Sequence, residues 1–270
     1  MLDILKAIIY GIIEGITEWL PVSSTGHMLL AEPLLKFTVS AEFLEMFRVV
    51  IQLGAILAVV VIYFRRIFPF YPGLTRRERT GIWNLWGKIV ISCVPAVIVG
   101  LLFDDKLDEL FYNLPTVAAM LIVYGIAFII IEKKNKRTPS VMTVGEIGVR
   151  QAAAIGLFQL LALIPGTSRS GATIIGALLI GFSRTAAAEY TFFLGIPVML
   201  GAGLLKLVKF GFHFSGAELS VLAAGFITAF VVSIFAIRFL TGFVKKHTFS
   251  GFGWYRIALG AVVLAVFFLR

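Results

Sequence analysis

Long apolar runs, separated by short polar segments, dominate the sequence. A helix that crosses the hydrocarbon core of a bilayer needs about 20 mostly apolar residues. Six runs meet this requirement and predict six transmembrane helices, at about residues 43–64, 84–103, 115–132, 186–208, 218–240 and 253–269. We therefore expect an all-α polytopic membrane protein that forms a single membrane domain over residues 1–270.

The pattern of two further apolar segments, residues 1–36 and 147–182, does not predict simple transmembrane helices. Each is interrupted by a proline that is followed by small hydroxyl-bearing residues: Leu-Pro-Val-Ser-Ser-Thr-Gly-His from Leu20, and Ile-Pro-Gly-Thr-Ser-Arg-Ser-Gly-Ala-Thr from Ile164. Non-helical backbone is tolerated at membrane depth only where protein or a polar cavity surrounds it. The pattern predicts two re-entrant helix-loop-helix hairpins, one from each segment.

The same order of elements occurs twice along the chain. A broken hairpin followed by three spans makes one repeat over residues 1–135 and a second over residues 145–270. Aligning the two prolines sets Ser24 against Ser168. Because each half has an odd number of spans, the second copy is expected to be inverted, as in many membrane proteins whose broken helices meet near the midplane.

Charged residues are scarce and lie mostly in short loops. Only 14% of the residues are charged, although the formal net charge is +9. Soluble domains carry about 25% charged residues, so this chain cannot form the polar shell of a soluble protein. Basic residues in short loops act as topology signals and as contacts for lipid headgroups. We therefore expect membrane lipids as partners and no nucleic acid.

The loop charges predict an orientation. Loops 65–82, 133–146 and 241–252 are basic, whereas loop 104–113 is acidic. The positive-inside rule puts the three basic loops in the cytoplasm. Both termini would then be extracytoplasmic, and the two hairpins would enter the membrane from opposite faces.

Ionisable residues at membrane depth are costly and are candidates for function. Glu14 and Glu18 lie one helical turn apart on one face of the first predicted helix. Two carboxylates this close repel each other in a low dielectric, so one is protonated or a cation lies between them. Mg²⁺ or Ca²⁺ with oxygen ligands fits this composition better than Zn²⁺. The alternative is a structural ion pair with a nearby arginine.

The second hairpin has the residues expected of a phosphate site. Arg169 is the only charged residue between Arg150 and Arg184, and a guanidinium fits phosphate oxygens well. Glycines let backbone amides approach an anion, and the restarting helix points its positive end at the loop. The other residues predicted to bind phosphate are Gly166, Ser168, Ser170 and Thr173. The alternative is a clamp in which Arg169 pairs with Glu14 or Glu18.

The first hairpin combines hydroxyls, an imidazole and carboxylates. His27 titrates near neutrality and could act as a base, an acid or a nucleophile. Ser24 is the candidate for the reactive hydroxyl and Ser23 for the helix cap, although the same residue types serve as ordinary N-caps. We assign supporting roles to Ser23, Thr25 and Gln52.

These motifs resemble the signatures of a known family. The stretch from Glu14 to His27, Glu-Gly-Ile-Thr-Glu-Trp-Leu-Pro-Val-Ser-Ser-Thr-Gly-His, is one of them. The stretch from Pro165 to Thr173, Pro-Gly-Thr-Ser-Arg-Ser-Gly-Ala-Thr, is the other. Both are similar to those of bacterial undecaprenyl-diphosphate phosphatases of the BacA/UppP family, and the resemblance covers the whole chain.

The resemblance implies a hydrolase of the bacterial plasma (inner) membrane that converts undecaprenyl diphosphate to undecaprenyl phosphate and inorganic phosphate. This activity would recycle the lipid carrier of peptidoglycan synthesis and confer bacitracin resistance. The family also implies a divalent cation and catalytic roles for the matching residues, which are Glu14, Glu18, Ser24, His27 and Arg169. The rival function is a polyprenyl-phosphate transporter or flippase that uses the same midplane site. The oligomeric state stays open, with a homodimer as one option.

Overall fold

The computed structural model describes residues 1–135 and 138–269, and these residues are mainly helical. The α-helices in this part of the chain are α1 (Leu2–Thr17), α2 (Ser24–Ala31), α3 (Ala41–Ile67), α4 (Arg76–Phe111), α5 (Leu114–Lys134), α6 (Val149–Leu160), α7 (Arg169–Leu179), α8 (Arg184–Phe210), α9 (Gly216–Phe243) and α10 (Ser250–Leu269). Short 3-10 turns at Val144–Glu146 and Leu161–Leu163 precede and follow α6.

Six of the helices in the described residues, α3, α4, α5, α8, α9 and α10, are long and apolar enough to cross a membrane. They coincide with the six predicted spans, which confirms the prediction of an all-α polytopic membrane protein. Lys136 and Arg137, which contribute to the charge of the basic loop 133–146, lie outside the described residues.

The acidic segment 104–113 is not a loop over most of its length, and this prediction was wrong. Helix α4 continues through it to Phe111. A hydropathy run ends at its last apolar residue, whereas a helix ends where its backbone hydrogen bonds are interrupted. The interruption comes at Asn113, which caps the next helix by accepting a hydrogen bond from the amide of Thr116 at 2.9 Å.

In each half, a hydrogen bond joins the end of the broken segment to a residue near its beginning. In the first, the Lys6 ammonium donates to the backbone carbonyl of Lys36. In the second, the amide of Ser140 donates to the carbonyl of Gly181 at 2.9 Å. This geometry is compatible with re-entrant hairpins, although re-entry into a bilayer remains a prediction.

The two halves pack against each other reciprocally. Helix α1 packs on α9 and helix α6 packs on α4, so the first helix of each half lies on the second span of the other half. Glycines permit both contacts, since a Cβ at Gly11 would lie 2.6 Å from the carbonyl oxygen of Gly225 and one at Gly156 would lie 2.7 Å from that of Ser92. The arrangement is compatible with an inverted repeat.

The caps of the two restarting helices give a register that differs by one residue from the proline alignment. Ser23 caps α2 by accepting from the amide of Gly26 at 3.4 Å, and Ser168 caps α7 by accepting from the amide of Gly171 at 3.2 Å. Ser23, not Ser24, is therefore the counterpart of Ser168. The proline alignment was wrong because the loop between proline and cap is one residue longer in the second hairpin.

Candidate active site

The two hairpins change direction at strained serine residues. Ser23 has φ 72° and Ser168 has φ 71°, and they are the only non-glycine residues with positive φ in the described ranges. A side chain in this conformation costs about 1–3 kcal/mol, and such residues cluster at functional sites. Each serine also caps the helix that follows it, so α2 and α7 both start, with the positive ends of their dipoles, at the hairpin tips.

An ion pair joins the tips. Arg169 Nη2 lies 2.9 Å from Glu18 Oε1, and both side chains are nearly buried, at 12% and 10% exposure. Arg169 Nη1 also donates to the carbonyl oxygen of Thr191 at 2.9 Å, and the guanidinium lies 6.0 Å from the ring centroid of Trp19. The clamp between arginine and glutamate that the sequence left as an alternative is therefore present, with Glu18 as the partner.

Glu14 lies one turn before Glu18 and is more deeply buried, with 1% exposure. Its Oε1 atom has no hydrogen-bond partner in the described structure. A buried carboxylate oxygen without a donor is costly unless it binds a proton or a cation. The two glutamates thus provide a carboxylate pair in which one member has an oxygen available.

A divalent cation fits this pair chemically. Within residues 1–135 and 138–269, no group of three or more His, Cys, Asp and Glu side chains is placed to hold a metal ion. A cation bound by Glu14 and Glu18 would take its remaining ligands from water and phosphate oxygens. Mg²⁺ is commonly bound in this way, through one or two carboxylates and the phosphates of a substrate.

The hydroxyls of the second hairpin form hydrogen bonds with other groups of the protein. Ser170 Oγ lies 3.0 Å from Ser168 Oγ and donates to the carbonyl of Leu20 at 3.3 Å, which is a second link between the tips. Thr173 is fully buried, and its Oγ1 lies 2.9 Å from that of Thr191. These contacts hold the loop in place.

Gly166 also has a structural contact. Its φ is 91°, and a Cβ there would lie 2.6 Å from the carbonyl oxygen of Val117. Among the predicted phosphate-binding residues, Ser168 and Arg169 are partly exposed, whereas Gly166, Ser170 and Thr173 are buried. Phosphate binding by the three buried residues remains a prediction that their geometry does not support.

His27 is held at both ring nitrogens. Nδ1 lies 2.7 Å from the carbonyl oxygen of Ser23, and Nε2 lies 2.7 Å from the hydroxyl of Tyr255. A carbonyl can only accept, so Nδ1 carries the proton and the neutral Nε2 accepts from the tyrosine hydroxyl. No hydrogen bond joins His27 to Ser24 in the part of the chain that the structure describes. The two residues therefore do not form a nucleophile–base pair in this arrangement.

Ser24, Thr25 and Gln52 are half-buried. Ser24 is the first residue of α2, next to the strained Ser23. Gln52 lies on α3, and the described residues show no hydrogen bond between it and the first hairpin. The supporting role that the sequence assigns to Gln52 remains a prediction.

The sequence did not identify two residues that contact the tips, and both are in α10. Tyr255 follows Trp254, and such an aromatic pair is typical of a membrane interface. Arg256 is completely buried and donates to the carbonyls of Gly166 and Thr167 at 2.8 and 2.9 Å. It is the only charged residue within the predicted span 253–269, and that was the available signal.

An apolar cavity of about 470 Å³ adjoins the first hairpin. Helices α1, α9 and α10 line it with residues that include Ile16, Phe239 and Phe252, and Leu20 and His27 of the first hairpin are also in its wall. An apolar cavity with a few polar groups beside buried charges is the usual form of a binding site. It can hold the first part of an apolar chain attached to a polar headgroup.

The fold and the site define a polytopic membrane protein that holds an arginine and two glutamates where two hairpins meet. The chain matches the family model described as "Bacitracin resistance protein BacA" over residues 7–262, and it belongs to this family.

Curated relatives align over nearly the full length of the chain. An undecaprenyl-diphosphatase of Acetivibrio thermocellus is 57% identical over 268 residues, which cover 99% of this chain and 98% of that protein. An undecaprenyl-diphosphatase of Desulfitobacterium hafniense is 56% identical, with coverage of 100% and 98%. One of Enterococcus faecalis is 56% identical, with coverage of 96% and 95%.

The hydrogen bonds of His27 predict its tautomer. At about pH 8, where an ordinary imidazole is neutral, the ¹⁵N chemical shifts of His27 should show a protonated Nδ1 and an unprotonated Nε2 that accepts a hydrogen bond. Replacing Tyr255 by Phe should move the Nε2 shift toward that of an unbonded nitrogen and leave Nδ1 nearly unchanged. Protonation of Nε2 in the wild-type protein would contradict the assignment. His213, which is exposed, provides the reference.

Proposed function

We propose that this protein is an integral membrane phosphatase that hydrolyses undecaprenyl diphosphate to undecaprenyl phosphate and inorganic phosphate. The observation that carries the proposal is the Glu18–Arg169 ion pair, which joins the tips of two hairpins beside an apolar cavity. The names of the full-length relatives support this substrate. The reaction would recycle the lipid carrier of peptidoglycan synthesis, and bacitracin resistance would follow from the same activity.

Phosphoryl transfer depends mostly on positioning and on neutralising the phosphate charge. Arg169 is already at the meeting point of the tips, and its Nε has no hydrogen-bond partner in the described structure. Helices α2 and α7 are capped by Ser23 and Ser168, so two positive helix ends are close to the place where the diphosphate would bind. An arriving phosphate would compete with Glu18 for the guanidinium.

The nucleophile is either the hydroxyl of Ser24 or a water molecule. In the first case, a bond forms between Ser24 Oγ and the terminal phosphorus, and the bond from phosphorus to the bridging oxygen breaks. Undecaprenyl phosphate leaves, and water then hydrolyses the phosphoserine. In the second case, water attacks the terminal phosphorus directly and no phosphoenzyme forms.

Glu18 is the readier acceptor of the nucleophile's proton. Both nitrogens of His27 are hydrogen-bonded, so it can accept a proton only after one of those bonds is exchanged. Glu18 Oε1 would become free for a proton once Arg169 turned to the phosphate, and Oε2 would remain for the cation proposed below. His27 would contribute by holding the backbone of Ser23, next to Ser24.

A transporter or flippase is the less favoured alternative. Inverted repeats and a site between broken helices also occur in transporters. The relatives that align over the whole chain are, however, named as diphosphatases. Absence of phosphate release by the purified wild-type protein, with divalent cations present, would reverse this preference.

Replacing Arg169 by Ala should abolish turnover. Loss of one group that stabilises charge in a transition state typically costs about 10²–10³-fold in rate, and here Glu18 would also lose its partner. The measurement is phosphate release from undecaprenyl diphosphate by purified protein in detergent. Arg238→Ala, which changes an exposed arginine of α9, is the control and should retain the wild-type rate. An undiminished rate in Arg169→Ala would contradict the assignment.

We also propose that the reaction depends on Mg²⁺ or Ca²⁺ held by Glu14 and Glu18. Such an ion would supply positive charge to the phosphate oxygens. A chelator should remove activity, and Mg²⁺ or Ca²⁺ should restore it. Glu14→Gln should raise the cation concentration needed for half-maximal activity by about 10-fold or more, because an amide binds such ions less strongly than a carboxylate does. Equal cation dependence in wild type and Glu14→Gln would rule out Glu14 as a ligand.

The proposed location is the bacterial plasma (inner) membrane, with the active site opening to the extracytoplasmic side. Hydrogen-bonded ion pairs support the orientation, because they join the ends of the basic segments to one another on the same face of the protein. Arg66 pairs with Glu189 at 2.8 Å, and Arg184 pairs with Glu132 at 2.6 Å. Glu132 also accepts from the amide of Phe249 at 2.9 Å. A face of this kind would be cytoplasmic by the positive-inside rule.

Single cysteines test this orientation in intact cells. In a Cys93→Ser background, His213→Cys should react with a membrane-impermeant thiol reagent, since it lies between α8 and α9 on the proposed outer side. Arg77→Cys, at the start of α4, should react only after the membrane is permeabilised. The reverse pattern would show that the orientation is inverted.

The outer surface of the helices supports contact with lipid. On α4, exposed residues such as Val90, Val94 and Leu101 are apolar. A surface of this kind suits lipid and a second copy of the chain equally. A homodimer therefore remains an expectation without specific support.

A further inference from the structure

Arg256 lies between the two hairpins and contacts both of them. It has no exposed surface. From the second turn of α10, its guanidinium donates to the carbonyl of Pro21 at 3.2 Å and to those of Gly166 and Thr167 at 2.8 and 2.9 Å. It also lies 3.4 Å from the carbonyl oxygen of Met120 on α5. One side chain thus bonds to the backbone of both loops and of a neighbouring span.

The charge of Arg256 has no acidic partner in the described residues. Backbone carbonyls surround it, and its guanidinium lies 5.5 Å from the ring centroid of Tyr124. A buried charge is expensive even when it is well hydrogen-bonded, because it has lost its hydration, and a buried charge is weak evidence for a gain in stability. Stability alone is therefore a weak explanation for an arginine at this position.

The carbonyls that Arg256 binds lie just before the two strained caps. Pro21 is two residues before Ser23, and Thr167 directly precedes Ser168. A guanidinium is a planar, rigid fork, so it holds several acceptors in one fixed relation. It also approaches the first turn of α7, since a Cβ at Gly171 would lie 3.2 Å from Nη1.

We propose that Arg256 is a positioning residue that holds the two hairpin tips in register, and so sets the geometry in which Glu18 and Arg169 meet a phosphate. This inference rests on the proposed phosphatase function. Arg256 is behind the loops, bonded to their carbonyls, so it acts through them and does not contact the substrate. Arg169 binds the headgroup, and Arg256 determines where Arg169 and the opposite loop lie relative to each other.

The decisive variant is Arg256→Lys, which keeps the charge but loses the fork. A displacement of about 1 Å at a reacting centre can cost about 10²-fold in rate. We expect kcat for phosphate release from undecaprenyl diphosphate to fall by about 10- to 100-fold, with KM changed by less than about twofold because Arg169 and the apolar cavity remain. The unfolding temperature of each purified variant is measured alongside.

Arg184→Lys is the matched control. Arg184 also makes several hydrogen bonds, but its side chain is 35% exposed and its partner is the buried Glu132, at the opposite end of α5 from the tips. The same substitution there should lower the unfolding temperature and leave kcat per folded molecule unchanged. Parallel losses of kcat in the two variants would reduce Arg256 to a general packing role and overturn the proposal.

A second measurement does not depend on the substrate. In a Cys93→Ser background, Thr25→Cys places a thiol in the first turn of α2, and its alkylation rate reports how well the tip is held. Adding Arg256→Lys should raise this rate several-fold, whereas adding Arg184→Lys should not. If the wild-type protein released no phosphate, the proposed function would fail, but the alkylation rates would still test the clamp. An unchanged rate and an unchanged kcat in folded Arg256→Lys would overturn it.

Gly171→Ala provides a test in case Arg256→Lys does not fold. It retains the guanidinium but forces it away from the new Cβ by a few tenths of an ångström. In Gly171→Ala, kcat should fall and the alkylation rate of Thr25→Cys should rise, each by a smaller factor than in Arg256→Lys. A Gly171→Ala protein with wild-type kcat and alkylation rate would contradict the proposal.

Discussion

A charge at membrane depth has to find an opposite charge or hydrogen-bond partners inside the protein, and the Glu18–Arg169 ion pair satisfies this constraint for both hairpins. The two residues are 151 positions apart in sequence. Neither hairpin could keep its ionised residue in an apolar surrounding by itself, because an unpaired buried charge costs several kcal/mol. The hairpins therefore have to meet, and the arrangement of the helices around them can be understood as the means of bringing the tips together.

The meeting of the tips places two loops inside the helical bundle, where each backbone carbonyl and amide needs a hydrogen-bond partner. The partners come from side chains and not from regular structure. Ser23 and Ser168 cap the restarting helices, Ser170 donates to Leu20, and Arg256 donates to carbonyls of both loops. Close glycine contacts between α1 and α9 and between α6 and α4 hold the two halves near each other, and Ser170 and Arg256 bond from one half to the other.

The two hairpins share a frame and differ in their chemistry. In the register given by the caps, Glu14 of the first hairpin corresponds to Gln159 of the second, and Ser24 corresponds to Arg169. Gln159 is buried and donates to the carbonyl of Ser92 at 3.2 Å, so its position is used for packing. The first hairpin has kept the carboxylates and the second has the arginine. The site is consequently asymmetric, although the backbone around it is similar in both halves.

The pattern of apolar and charged positions is enough to predict the main elements, because a bilayer requires apolar runs of a set length and disfavours charge within them. The six spans, the two broken segments and the charged residues Glu14, Glu18 and Arg169 could all be recognised in this way, and the motifs around them identified the family. Tertiary structure decided which groups touch. It paired Arg169 with Glu18, joined His27 to Tyr255 instead of Ser24, and placed Arg256 behind both loops. These contacts join residues far apart in the chain, so they depend on how the two hairpins pack against each other and on how α10 packs against α5 and the hairpins.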